Sequence, residues 1–240
     1  MTQKELRKQL EEMAEQDYKE FSASLIPGVK NLLGIRLPKL RELAKSLAKE
    51  NWKEYLSWSA FTYFEEVMIQ GMILGYVKAP IKEILGEVRN FIPRIDNWSV
   101  NDSFCTTFKA AGKYPKEVWD FLMQYKDSHK EFEVRVVAVM LMSHFLVPEY
   151  IDSVLEVLGV LAVKEYYASM AVAWAYATAW AKFPNETKKY LTEYPIDGET
   201  YRRALQKGIE SRRITDEEKQ WMREERSRMR AELDKSMIQC

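Results

Sequence analysis

The sequence predicts an all-α fold, an α-solenoid of stacked helical hairpins with a concave groove, and three observations predict it. A proline that closes a helix returns at Pro80, Pro115, Pro148 and Pro184, in steps of 35, 33 and 36 residues. Each follows an apolar or aromatic-rich segment and precedes an amphipathic one. Trp98, Phe132 and Tyr166 stand 34 residues apart, each at the start of a helical stretch. No segment alternates with period two, so no sheet is expected. A fixed period in this range means hairpins that bury their apolar faces against one another and together build one long concave surface.

Taken in order, Lys4–Phe21 reads as an opening helix on Leu6, Leu10, Met13 and Tyr18, broken by Ile26-Pro27-Gly28. Gly34-Ile35-Arg36-Leu37-Pro38 starts a second helix, with Leu40, Leu43, Ala44 and Leu47 at helical spacing. Pro38 suits its first turn, where the missing N–H has no helical partner. Trp52–Trp58 and Phe61–Val77 make the next pair. Ile81–Phe91 runs to Pro93, and Asp96 or Asn97 caps a helix from Trp98 through Ala111. Lys116–Tyr125 pairs with Glu131–Phe145, and Glu149–Leu161 with Glu165–Lys182. Glu186–Leu191 is short. Glu199–Ser211 and Asp216–Leu233 close the chain, the last opened by a capping box at Thr215. No Pro/Gly/Ser linker interrupts the run, so residues 1–240 are expected to form one domain whose last dozen residues fray.

Composition narrows the function classes. Hydrophobic residues are 47% and charged residues 30%, enough to bury a core and too ordered a mixture for disorder. No uncharged 18-residue apolar run and no basic-then-apolar leader at Met1–Lys8 appear, so neither a membrane nor export is expected. Cys105 and Cys240 make neither a disulfide framework nor a metal spacing, which fits a reduced, cytoplasmic protein. The net charge is zero, with 36 basic and 36 acidic residues, which argues against a strong non-specific nucleic-acid binder. The charge is unevenly spread: Thr200–Arg230 holds ten Lys/Arg against six Asp/Glu, and residues 1–20 hold four against six. The C-terminal part is the better place to meet phosphate.

Three segments carry side chains suited to chemistry. In IDNWSVNDSF, Trp98 and Asp102 are four apart and share a helix face. In KEFEVRVVAVMLMSHF, Arg135 is the only charge from Val134 to Phe145. In ASMAVAWAYATAWAKF, Trp174 sits among small residues that let a neighbour approach. All fall in the first half of successive second-of-pair helices, the helices that line a solenoid's concave side. Each has a plainer reading: a Trp in a helical repeat as core, Asp102 as a solvated carboxylate, Arg135 as half of a buried ion pair with Asp102 or Glu133 rather than a phosphate contact. Arg202, Arg203, Lys207, Arg212 and Arg213 in YRRALQKGIESRR form either a solvated helix face or a sugar-phosphate contact surface. His129 and His144 lie fifteen apart, which gives no metal site and no His-based triad, and no Gly-rich phosphate loop is present. No cofactor is expected.

GIRLPKLRELAK, DNWSVND, the Arg135 helix, AWAYATAWAKFP and ALQKGIESRRI, in that order, resemble the HEAT-like repeat DNA alkylation repair proteins of the AlkD type. The likeness runs roughly from Leu33 to Thr215. It implies a right-handed α-solenoid of HEAT-like repeats that holds duplex DNA in its groove. Active members release N3- or N7-alkylated purines without drawing the base into a deep pocket, unlike base-flipping enzymes. On that pattern Trp98 and Trp174 pack against the lesion's deoxyribose, Asp102 stabilises the developing oxocarbenium ion and positions water, and Arg135 anchors a phosphate. Such chemistry suits these side chains. An alkylated purine is already a good leaving group, so what helps is negative charge and π-density near C1′. One departure stands out. Active members carry a helix with aromatic and basic residues just before GI-x-x-P, whereas this interval reads FSASLIPGVKNLLGIRLP and resembles a divergent branch that lacks the element. Three functions therefore remain open: a monofunctional alkylpurine-DNA glycosylase, a DNA-binding relative that does not excise, and a protein-binding scaffold. A monomer is expected.

Overall fold

The structure, a computed structural model, describes residues 1–238, with side chains through residue 231. All regular structure among the described residues is helical. No helix there is long and apolar enough to cross a membrane. The chain divides into two compact units, one from Met1 to Gln124 and the other from Tyr125 onward.

The first unit runs through α1 (Gln3–Met13), α2 (Gln16–Leu25), α3 (Leu37–Leu47), α4 (Trp52–Ser57), α5 (Phe64–Tyr76), α6 (Ile81–Phe91), α7 (Trp98–Thr107), α8 (Ala110–Lys113) and α9 (Pro115–Leu122). Helices α3, α5 and α7 pack in succession. The four apolar positions expected of α3 are all buried, with Leu40, Ala44 and Leu47 fully so. Each buried Leu contributes roughly 1.5–3 kcal/mol relative to exposure. Helix α5 is the central one, buried from Met68 through Gly75, which is why its sequence shows little amphipathic contrast. Pro80 and Pro115 stand at the start of α6 and α9, as the repeat predicts.

Two boundaries differ from expectation. The opening helix is two helices, because the chain is extended at Ala14 and Glu15. The Glu15 N–H donates to the Gly34 carbonyl at 3.1 Å, and its carboxylate holds Arg36 Nε and Lys39 Nζ, each at 2.8 Å. These hydrogen bonds, Lys39 first, keep the Glu15 carboxyl below its ordinary pKa. A tie to a distant loop thus sets a break that no local glycine or proline announces. Helix α7 stops at Thr107 rather than Ala111, because Gly75 lies against the Thr107 carbonyl and accepts the Lys109 N–H at 3.2 Å. Ala110–Lys113 then form the separate α8.

The second unit holds α10 (Glu131–His144), α11 (Ile151–Val160), α12 (Tyr166–Lys182), α13 (Pro184–Glu193), α14 (Gly198–Glu210) and α15 (Asp216–Ile238). Helices α10, α12 and α14 pack in succession. Ala168, Ala171, Ala175 and Ala179 keep α12 thin enough for both neighbours to close on it. Helix α13 is ten residues long, exceeding the short segment expected. The expectation of fraying falls largely on residues 232–240, whose side chains lie beyond those described, and Gln239 and Cys240 lie outside the described residues altogether.

Gly34 locks the connection between α2 and α3. Its φ is +84°, and a Cβ there would come within 2.5 Å of the Lys19 backbone. Gly34→Ala therefore combines about 1–2 kcal/mol for the left-handed backbone with about 1–3 kcal/mol of overpacking. Thermal unfolding is expected to show a drop of several degrees or more; an unchanged midpoint would mean the loop is not held as described.

Candidate functional site

In the first unit the site starts from two adjacent buried acids at the N-terminus of α5, where the helix dipole favours negative charge. Glu65, 2% exposed, accepts the N–H groups of Leu33 and Gly34 at 2.9–3.0 Å. Glu66, equally buried, accepts the N–H groups of Thr62 and Tyr63 and pairs with Arg7 Nε at 3.0 Å. The irregular segment before α3 is thereby anchored to the core, and no helix lies between Leu25 and Leu37.

Trp98 opens α7 as its first residue, and Asn97 rather than Asp96 caps the helix by accepting the Val100 N–H at 3.0 Å. Asp96 instead accepts from Asn97 Nδ2 at 2.7 Å. The Trp98 indole N–H donates to the Leu25 carbonyl at 3.2 Å. That carbonyl sits at the last residue of α2, where carbonyls lack helical partners, so the indole is pinned as a wall between α2 and α7. One turn on, half-buried Asp102 accepts a hydrogen bond from Asn101 Nδ2 at 3.1 Å. Trp98 and Asp102 line one cleft of about 170 Å³ together with Tyr18, Arg41, Phe64 and Met68. The Tyr18 ring is itself covered by the Arg36 guanidinium at 4.8 Å.

In the second unit Arg135 is buried, 5% exposed. Its guanidinium donates to the Tyr167 carbonyl at 2.7 Å while Glu131 accepts the Tyr167 N–H at 2.6 Å. Both backbone polar groups of Tyr167, at the start of α12, are thus held by α10, and the Phe132 and Tyr167 rings stack at 5.9 Å. Glu131 supplies the cap that the N-cap residue Glu165 does not provide from its side chain.

Trp174 and Trp180 lie on the same helix and differ in kind. Trp180 is 2% exposed and meets Trp221 at 5.3 Å, while Trp174 is 37% exposed. Trp174 lines a cleft of about 510 Å³ between α12 and α14 with Lys182, Lys207, Glu210 and Arg213. Lys182, Lys207 and Arg213 have no anionic partner among the described residues, and Glu210 accepts from the Gln206 amide. Of the other basic residues expected to act together, Arg202 and Arg203 turn to Glu199, at 2.7 and 3.1 Å. The hydrogen bond from Arg202 is the main cause that holds the Glu199 carboxyl below its usual pKa. Arg203 also donates to Ser169 Oγ at 2.7 Å and covers the Tyr166 ring at 5.1 Å. Arg212 is exposed and does not line the cleft.

The structure therefore brings Trp98 to Asp102 in one unit and Trp174 to Lys207 and Arg213 in the other. Arg41, Asn101 and Lys182 were not foreseen. Lys182 had a signal, eight residues or about two turns after Trp174 and so on its side of the helix. Asn101 and Arg41 had none beyond their neighbours in the motifs. Among the described residues no group of three or more His, Cys, Asp or Glu is placed to hold a metal ion.

A comparison with curated proteins returns no match. A family model described as DNA alkylation repair enzyme matches residues 6–223.

Proposed function

Because the chain belongs to the DNA alkylation repair enzyme family, we propose that it binds duplex DNA carrying N3- or N7-alkylated purines and releases the damaged base as a monofunctional glycosylase. It does so as a monomer, in the cytoplasm and without a cofactor. The observation that carries the DNA-binding reading is the cleft between α12 and α14, where Lys182, Lys207 and Arg213 stand around Trp174, three cations against the single carboxylate of Glu210, and make no ion pair among the described residues. A net positive cleft beside an exposed indole suits a sugar-phosphate chain, which offers charge to the first and a sugar face to the second. The succession α3, α5, α7 in one unit and α10, α12, α14 in the other supports a right-handed solenoid of HEAT-like repeats with the duplex in its groove.

Asp102 is the group assigned to the chemistry. As the N-glycosidic bond of a cationic purine breaks, positive charge grows at C1′ and the ring oxygen. A fixed carboxylate stabilises that charge more than it stabilises the ground state. It can also accept a proton from the attacking water. Asn101, fully buried, holds one carboxylate oxygen through its Nδ2 and so fixes the orientation of the group. Trp98, pinned through its N–H, presents a π-face four residues away on the same side of α7. Arg135 then acts on the DNA through the position it gives α12.

The test is single-turnover release of 7-methylguanine and 3-methyladenine from alkylated duplex, beside a salt titration of duplex binding. Base release is expected, with a log–log salt slope of at least about −2.7 for three phosphate contacts. Salt-sensitive binding with no release at enzyme far above substrate would leave the non-excising relative, which needs the cation cleft and not Asp102. Binding indifferent to salt would remove DNA as the partner.

A further inference from the structure

Helix α2 buries none of its ten residues, and Phe21 and Leu25 stand exposed on it. It therefore gains little of the apolar burial that secures α3 and α5. Yet it forms one wall of the cleft that holds Asp102. Tyr18, Ser22 and Leu25 line that cleft from α2, and Trp98, Ser99 and Asp102 line it from α7. Few buried apolar contacts are the mark of a segment that opens locally while the rest of the fold stays closed.

Both ends of α2 are breaks. Ala14 and Glu15 are extended before it. Pro27-Gly28 follow it, with Gly28 at φ +85° and open space where a Cβ would stand. Such element-terminal residues absorb the backbone rotation of a hinge. The ties between are uneven. Toward the N-terminal end the Lys19 backbone packs on Gly34, and the Arg36 guanidinium covers the Tyr18 ring. At the C-terminal end the indole of Trp98 holds the Leu25 carbonyl at 3.2 Å, and Ile26 just past the helix is buried. Lifting that end gives up one hydrogen bond and one apolar side chain. Closure also leaves a charge unmatched. Half-buried Arg41 lines the cleft with no hydrogen bond or ion pair among the described residues, a cost that water relieves once the wall lifts.

The closed cleft is too small for the reaction assigned to Asp102. Its volume of about 170 Å³ is little more than the roughly 150 Å³ that holds one benzene. A nucleotide kept in the stack arrives as a sugar with its two flanking phosphates. We propose, on the reading of Asp102 as the reacting carboxylate, that α2 is a strap over that residue, latched to α7 by the Trp98 indole and hinged at both ends, whose C-terminal half lifts to admit the backbone of a duplex. The open form is a minor state, on the order of 0.1–10% populated, and the duplex draws the protein into it. Trp98 is a latch in the closed form and a released π-face in the open one, so one side chain couples opening to the readiness of the site.

The test is amide hydrogen exchange of the intact chain, read peptide by peptide by mass spectrometry, for wild type, Trp98→Phe and Arg36→Met. Beside it stands the rate of association with undamaged duplex. Trp98→Phe keeps a ring and removes the latch, and Arg36→Met removes the cover over Tyr18. Circular dichroism melting identifies any variant that has not folded, and the remaining one decides the exchange. In wild type α2 is expected to exchange at least about tenfold faster than α3 and α5. In each folded variant α2 is expected to gain about another threefold to tenfold, the effect of one lost hydrogen bond, with α5 unchanged. Equal rates in α2 and α5, or no response in the folded variants, overturn the strap. Trp98→Phe is also expected to speed association with duplex by the factor it adds to exchange, because only the open fraction binds. Faster exchange with unchanged or slower association shows that duplex does not need α2 to lift, and overturns the gate. No salt-sensitive duplex binding by wild type loses the DNA reading instead, and exchange in the free protein still decides the strap.

Discussion

Asp102→Asn is expected to slow single-turnover release of 7-methylguanine from alkylated duplex by about 10²–10³, the usual cost of removing one preorganised electrostatic contact to a transition state. The substitution is nearly isosteric. An Asn side chain at this position still offers a carbonyl oxygen to Asn101 Nδ2, now 3.1 Å from Asp102 Oδ1, so the helix and the cleft are kept. What disappears is a full negative charge beside C1′ and the capacity to take a proton from water. The loss therefore belongs to the rate constant. Duplex affinity, measured on the same protein, is expected to hold or rise slightly, because a negative charge has left the neighbourhood of phosphates. Equal rates for the two proteins would remove Asp102 from the chemistry. A parallel fall in affinity would show that the residue acts on binding.

The route from sequence to Asp102 was direct, and its limits are instructive. Trp98 and Asp102 share a helix face because they are four residues apart, a local fact that the structure keeps. The cap at Asn97 and the buried stripe of α3 are local in the same sense. The two misplaced helix breaks are tertiary in origin. The break at Ala14–Glu15 depends on a carbonyl nineteen residues on from Glu15 and on Arg36 and Lys39. The early end of α7 depends on a glycine of α5. No propensity at either site foretells these, since the competing partners come from other elements. The same holds for Glu65 and Glu66, which look like an ordinary acidic first turn and turn out to be buried anchors.

The site residues divide along the same line. Small neighbours around Trp174 suggested an approachable indole, and its 37% exposure against 2% for Trp180 agrees. The basic run of α14 and the turn after it, by contrast, reads in sequence as one face, solvated or phosphate-binding. Glu199 sits three and four residues before Arg202 and Arg203 and takes both. Within a helix that spacing is where ion pairs form, so the pairing is legible, and Lys207, Arg212 and Arg213 are the members of the run outside it. Arg41 was hidden because nothing local marks an arginine as unpaired.

This sorting of cations gives the second large effect. Replacing Lys182, Lys207 and Arg213 together by Gln is expected to weaken duplex binding roughly 500-fold at about 0.1 M monovalent salt. Each lost phosphate contact removes about 0.9 from the log–log salt slope and, at that salt, about 0.9 log units of affinity. The slope itself is expected to fall in magnitude by about 2.7, and the weakening is expected to be uniform across sequences, since phosphate contacts carry no base information. Arg202→Gln with Arg203→Gln makes the contrasting pair. Those guanidiniums share Glu199, which offsets one of their two charges, so their loss is expected to change the salt slope by less than one unit per residue. Arg203→Gln also removes the bond to Ser169 and the cover over Tyr166, so its main effect is expected in the melting temperature. If the two sets instead lower the slope equally, the whole basic face meets phosphate and the Glu199 pairs open on binding. If neither does, the cleft around Trp174 is not where DNA lies, and the indole's exposure needs a different partner.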